Sequence, residues 1–182
     1  PAQPHALVYQ DYSEMSLEIP ALNEQIAILG VPKSGNGWDV RWLENQAGYL
    51  EGTAFPTWQG NSGLAGHANL ADGSPGPFTN LGALKWGDQV IIHAWGQRYI
   101  YEVRQNSLVT PGEMDALRHE ELAWVTLITC QGYDALDGEY RWRRIVRAVL
   151  VGHDPRVAAD ARDGAILARP AVDGDELAAG VA

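Results

Sequence analysis

The run Val125-Thr126-Leu127-Ile128-Thr129-Cys130 decides how the rest of the chain is read. It is apolar and β-branched and is bounded downstream by Gln131-Gly132, so it reads as a strand. Period-two alternation places Val125, Leu127 and Thr129 on one face and Thr126, Ile128 and Cys130 on the other. Cys130 is the only cysteine of the chain. A single cysteine is ordinarily a small buried hydrophobe. This one stands at an expected strand end, where a rigid sheet meets a loop, which suits a nucleophile.

Working outward, a second strand is expected over 142–151, carrying Arg143, Arg144 and Arg147 with Arg141 just before it. If Val146, Ala148 and Leu150 face a core, then Arg143, Ile145 and Arg147 share the opposite face, and Arg144 falls on the core side. Arg147 lies four residues beyond Arg143, about 13 Å at strand rise. Upstream, Leu64-Ala65-Gly66-His67 closes an apolar run and opens a loop rich in Gly, Asn, Asp and Pro.

These stretches together resemble the sortases, the cysteine transpeptidases of bacterial cell surfaces. Thr126-Leu127-Ile128-Thr129-Cys130 is similar to the TLxTC signature of that family, and Leu64-Ala65-Gly66-His67 to its apolar-x-Gly-His motif. Arg143, 13 residues after the cysteine (143 − 130), falls where the family keeps a catalytic arginine. The stretches 51–63 and 78–88 resemble its GT-x-x-P lead-in and its F-x-x-L-x-x-L-x-x-GD segment. The ordered set covers roughly residues 20 to 151. Gln131-Gly132-Tyr133 follows the class A style, while Gly76-Pro77-Phe78 looks more like other housekeeping forms, so the subclass stays open among A, E and F.

The resemblance implies Cys130 as nucleophile, His67 as acid and base, and Arg143 as the oxyanion-binding group, a task suited to a guanidinium that stays charged. It also implies that Thr129 orients the substrate, that Thr126, Ile128 and Ile145 line an apolar pocket, and that Arg147 reads a polar substrate position. The expected substrate is an LPxTG-type C-terminal sorting signal on a surface protein, passed to an amine of peptidoglycan precursor or a pilin. A hydrolase on the same acyl-enzyme path and a catalytically silent surface scaffold are the alternatives. Tyr133, Tyr140 and Trp142 read as loop-packing aromatics.

Composition sets the outer bounds. With 182 residues, 46% of them apolar and 20% charged, the chain suits one ordinary domain with a sizeable core. No run of 18 apolar residues occurs, so no membrane-spanning helix is expected, and the tether usual in sortases would precede this stretch. The net charge of −10 argues against nucleic acid and anionic lipid as partners. Some sortases bind calcium through acidic loop residues; Glu113, Asp115, Glu120 and Glu121 lie near that loop, but helix-surface charge is the simpler reading, and no metal or cofactor is expected. The location expected is the outer face of the bacterial cytoplasmic membrane.

Many short strands with turns every eight to twelve residues predict a mainly β chain, a barrel or sandwich. The resemblance sharpens this to a closed eight-stranded sortase barrel with one or two short helices, over 78–84 and 109–122. Extended segments are expected over 17–22 and 25–31, with Pro20 and Pro32 keeping them from central positions. Another is expected over 38–43, a short one at Leu64-Ala65, and a hairpin turns over Trp95-Gly96. The predicted organisation is an arm over 1–16, a catalytic domain over 17–152, and an extension over 153–182. That extension is read as a linker or as a strap across the groove through Ile166–Pro170.

Overall fold

The computed structural model describes residues 11–155 apart from 36, 114, 135 and 137. Ten strands occur among them: β1 Asp11–Ile19, β2 Glu24–Val31, β3 Lys33–Ser34, β4 Gly37–Trp38, β5 Ala47–Leu50, β6 Gly60–Ala65, β7 Gln89–Ala94, β8 Gln97–Val109, β9 Ala123–Asp134 and β10 Glu139–Pro155. Eight close a barrel in the order β1-β2-β5-β6-β9-β10-β8-β7, and β3 and β4 pair separately. Pairing is antiparallel except between β2 and β5 and between β6 and β9. The mainly β, closed eight-stranded barrel expected from the sequence is what the chain forms.

Alternation explains which faces are filled. Met15, Leu17 and Ile19 of β1, Ile26 and Ile28 of β2, Leu64 of β6, Val125 and Leu127 of β9, and Val146 and Ala148 of β10 point into one core. On the opposite face, the later part of β2, the end of β5 and the end of β6 supply apolar residues to a second cluster outside the barrel. There Leu29, Val31, Leu50 and Ala65 pack with Trp42 and Leu43. A strand buried on both faces reads as a continuous apolar run, as Ile28–Val31 does.

Strand pairing extends past residues 17–152 at both ends. Ser16 pairs with both Ala27 and His93, and Met15 is buried. The alternation of Glu14, Ser16 and Glu18 with Met15, Leu17 and Ile19 carries that signal. At the other end β10 runs on to Pro155. The proposed strap at Ile166–Pro170 lies outside the described residues.

Pro20 and Pro32 do not exclude β1 and β2 from interior positions. Both strands are paired on two sides, and the prolines stand just past their ends, Pro20 opening a 3-10 turn over Pro20–Leu22. In the 38–43 stretch only Trp38 is strand. Asp39 accepts hydrogen bonds from the Arg41 backbone and guanidinium, a local arrangement that competes with a ladder. The short strand foreseen at Leu64-Ala65 begins at Gly60.

The two helices shrink to 3-10 turns, Leu81–Ala83 and Asp115–Leu117. Phe78, Leu81 and Leu84 are all buried at a spacing of three, which is the period of a 3-10 helix rather than an α-helix. The Asn106 amide takes the Leu81 and Leu84 carbonyls at 3.0 and 2.8 Å. Over 109–122, the Ala116 and Arg118 carbonyls accept from the Asn61 amide instead of from a following helical turn. The hairpin at Trp95-Gly96 forms as expected. Both residues have positive φ, 50° and 71°, the combination of a type I′ turn.

Candidate active site

Cys130 and Arg143 are directly opposed partners on the antiparallel β9–β10 ladder, so their side chains leave the same face of the sheet. Cys130 does not close its strand: β9 continues to Asp134 beside β10. What ends there is the other neighbour. The parallel pairing of β6 with β9 stops at Ala65–Ile128, followed by a hydrogen bond from Gly66 N to Ile128 O at 3.1 Å. His67 follows Gly66, just past the point where this pairing ends, and Cys130 lies two residues beyond Ile128.

The loop that begins at His67 is held by backbone contacts. Phe78 N donates to the His67 carbonyl at 3.0 Å. Glycine is required twice: a Cβ on Gly76 would lie 2.4 Å from the His67 carbonyl oxygen, and one on Gly66 would lie 2.7 Å from the Phe78 ring. The His67 imidazole lines a hollow of about 240 Å³ with Arg41 and Leu70, while its neighbour Ala68 lines the pocket of Cys130, and Asn69 borders both.

Burial pushes the half-buried Cys130 thiol above its usual pKa, and the Arg143 charge opposes that shift in part. The Arg143 guanidinium donates only to the adjacent Trp142 carbonyl, at 3.2 Å, and has no carboxylate partner among the described residues.

Two pockets flank this centre. The outer one, of about 180 Å³, is apolar; Ala65, Leu117, Ile128 and Ile145 line it, and Arg143 stands on its wall. The second, of about 170 Å³, opens at the barrel mouth and is polar, with Cys130, Thr129, Gln131 and Arg144 among its walls. Tyr133 and Tyr140 line it as well, so these aromatics border the site besides packing on each other at 5.1 Å.

Ile128 and Ile145 thus stand in the apolar groove as the parity predicts. Thr126 does not: it is fully buried, and its hydroxyl donates to Asn61 Oδ1 at 2.7 Å, fastening β9 to β6 beneath the 115–118 segment. Arg147 does not present a free charge either. It pairs with Glu120, and its guanidinium lies 4.8 Å over the Trp124 ring. That hydrogen bond is the main reason the Glu120 carboxyl is held below its ordinary pKa. Thr129 faces the barrel side, 5% exposed, with its hydroxyl unpartnered at the polar pocket.

Arg144, set aside on parity, proves to border the site. It donates to Gln131 Oε1 at 2.8 Å and to Asn106 Oδ1 at 3.0 Å, at the rim where core-facing positions run out of barrel. The sequence signal was present in that Thr129, its cross-strand partner, adjoins Cys130. Asn61 was also missed, since it lies inside a stretch that reads as turns. Among the described residues no three His, Cys, Asp or Glu side chains stand close enough to hold a metal ion, and no helix is long and apolar enough to cross a membrane.

A search of curated proteins returned no match. The sortase-domain profile matches residues 17–151. Among solved structures, sortase A from Corynebacterium diphtheriae (a lid mutant) is 29% identical, with a TM-score of 0.66 over 84% of this chain and 76% of that one. Sortase C-1 from Actinomyces oris is 32% identical, with a TM-score of 0.62 over 76% and 73%. A Clostridium perfringens sortase D5 transpeptidase is 27% identical, with a TM-score of 0.61 over 76% and 78%. With the family profile spanning residues 17–151, from β1 to β10, the chain belongs to the sortases, the cysteine transpeptidases of the bacterial cell surface.

Proposed function

We propose that this sortase cleaves an LPxTG-type C-terminal sorting signal after its threonine and passes the acyl group to an amine of peptidoglycan precursor or a pilin. The observation that carries the reading is the cross-strand pairing of Cys130 with an Arg143 that no carboxylate neutralises among the described residues, beside an apolar groove sized for a branched side chain. Cys130 attacks the threonine carbonyl as His67 takes the thiol proton, and the tetrahedral oxyanion forms next to the Arg143 guanidinium. His67 then gives that proton to the departing amine as the C–N bond breaks, leaving a thioester on Cys130. Ile128 and Ile145 hold the leucine of the signal, and Thr129 closes the opposite side. In this reading the protein works at the outer face of the cytoplasmic membrane, held by a tether.

Cys130→Ala supplies the test. It should abolish cleavage of a fluorogenic sorting peptide while the far-ultraviolet circular dichroism stays as in the parent. Turnover by the alanine protein at the parent rate would end the proposal. Products formed with and without an added amine separate transfer from hydrolysis.

A further inference from the structure

We propose that the polar pocket beside Cys130 receives the incoming amine, and that Arg144 in it recognises a carboxylate borne on the same carbon as that amine. This rests on the function proposed above and specifies its second substrate. The two pockets flanking Cys130 share no lining residue. The apolar one, with Arg143 on its wall, suits the acyl chain, which leaves the polar one for the acceptor.

The polar pocket has one charged wall residue, Arg144, and no acidic one. Arg144 uses one N–H on Gln131 and one on Asn106 and has no carboxylate partner among the described residues, so donors of its five remain for a ligand. Neutral acceptors for an N–H stand beside it. The Thr129 hydroxyl is buried without a partner, and Asn69 donates its amide to the Tyr140 hydroxyl at 3.1 Å, leaving its carbonyl oxygen free to accept. A simple alkylammonium entering here would meet the Arg144 guanidinium and no counter-charge among the pocket's walls. An amino-acid amine carries its own carboxylate, which Arg144 can hold bidentately. The nearby positive charge also favours loss of the ammonium proton. The neutral amine then attacks the thioester carbonyl: the C–N bond forms, the C–S bond breaks, and the amine proton passes through His67 to the departing sulfur.

The test uses 2,6-diaminoheptanedioic acid, its diamide and 1,5-diaminopentane as acceptors, at equal concentrations of unprotonated amine. The Cys130 acyl-enzyme is first verified by mass. The parent enzyme should use the acid about tenfold more efficiently than the diamide, as expected for one charge-assisted hydrogen-bonded contact. Arg144→Gln should bring that ratio to about one, whatever its overall rate. Equal use of acid and diamide by the parent, or an unchanged ratio in Arg144→Gln, would overturn the assignment. Failure to find any Cys130 adduct would instead sink the proposed function itself, and this inference with it.

Discussion

Arg143 and Arg147 leave the same face of β10, four residues apart, and end in opposite circumstances. Arg147 is paired with Glu120 and covered by Trp124, and Arg118 approaches the same Glu120 oxygen at 3.4 Å. Arg143, at the Cys130 end of the groove, hydrogen-bonds among the described residues only to the backbone carbonyl of its neighbour. One guanidinium fastens the 115–122 segment to the outside of the barrel. The other has no carboxylate partner among the described residues, although the chain carries ten excess negative charges. The difference teaches where charge is needed for chemistry: a developing oxyanion is stabilised by a donor not already neutralised.

The comparison breaks most visibly in kinetics. Arg143→Ala should lower kcat for a sorting peptide by about a hundredfold to a thousandfold, the range for loss of a principal oxyanion donor. Arg147→Ala should cost less than about tenfold, because its loss loosens a groove wall without removing a reacting contact. A larger loss from Arg147→Ala than from Arg143→Ala would reverse the assignment of the two residues.

The two arginines also show how far the sequence can be read. Alternation on β10 puts Arg143 and Arg147 on one face, and the ladder bears this out. Period two carries no information about what stands opposite each residue. The partner of Arg147 lies 27 positions away in a segment with a helix-like composition that folds as a single turn. The same limit applies to Thr126, on the same face as Ile128 yet covered, because Asn61 and the Ala116 carbonyl close over it. Arg144 fails the parity test for a different reason. Inward-facing positions are core only while the barrel continues, and at its mouth they become pocket wall. The order of motifs along the chain was legible because each is carried by one short run of consecutive residues. The coverings laid over those strands were not, since they depend on contacts between distant residues.

The covered end is held by a buried polar cluster, which a smaller effect should reveal. In Thr126→Val the Asn61 carbonyl oxygen loses its buried donor, and the chain should lose about 1–3 kcal/mol of stability in urea unfolding. At the open end Ile145→Val removes one methylene from the groove wall, costs about 0.5–1.5 kcal/mol, and should raise KM for the sorting peptide more than it lowers kcat. A Thr126→Val protein as stable as the parent would mean that the 115–118 segment is not fastened through this hydroxyl.

The smallest effect is a shift on a pH axis, and it isolates the charge of Arg143 from any role in binding. Alkylation by iodoacetamide follows the thiolate. Burial raises the Cys130 pKa and Arg143 lowers it, burial being the larger influence. The alkylation rate of the parent should therefore rise through a midpoint on the alkaline side of an ordinary cysteine. Arg143→Gln removes the opposing charge and should move that midpoint further up, by a fraction of the burial shift. Arg147→Gln should leave it in place, since that charge is already balanced by Glu120 and stands four residues away. A parent midpoint below that of free cysteine would mean that the sulfur rests as a thiolate and that His67 need not act as its base. Equal shifts from the two substitutions would mean that the groove does not distinguish its two arginines electrostatically, and the contrast between its ends would then be one of packing alone.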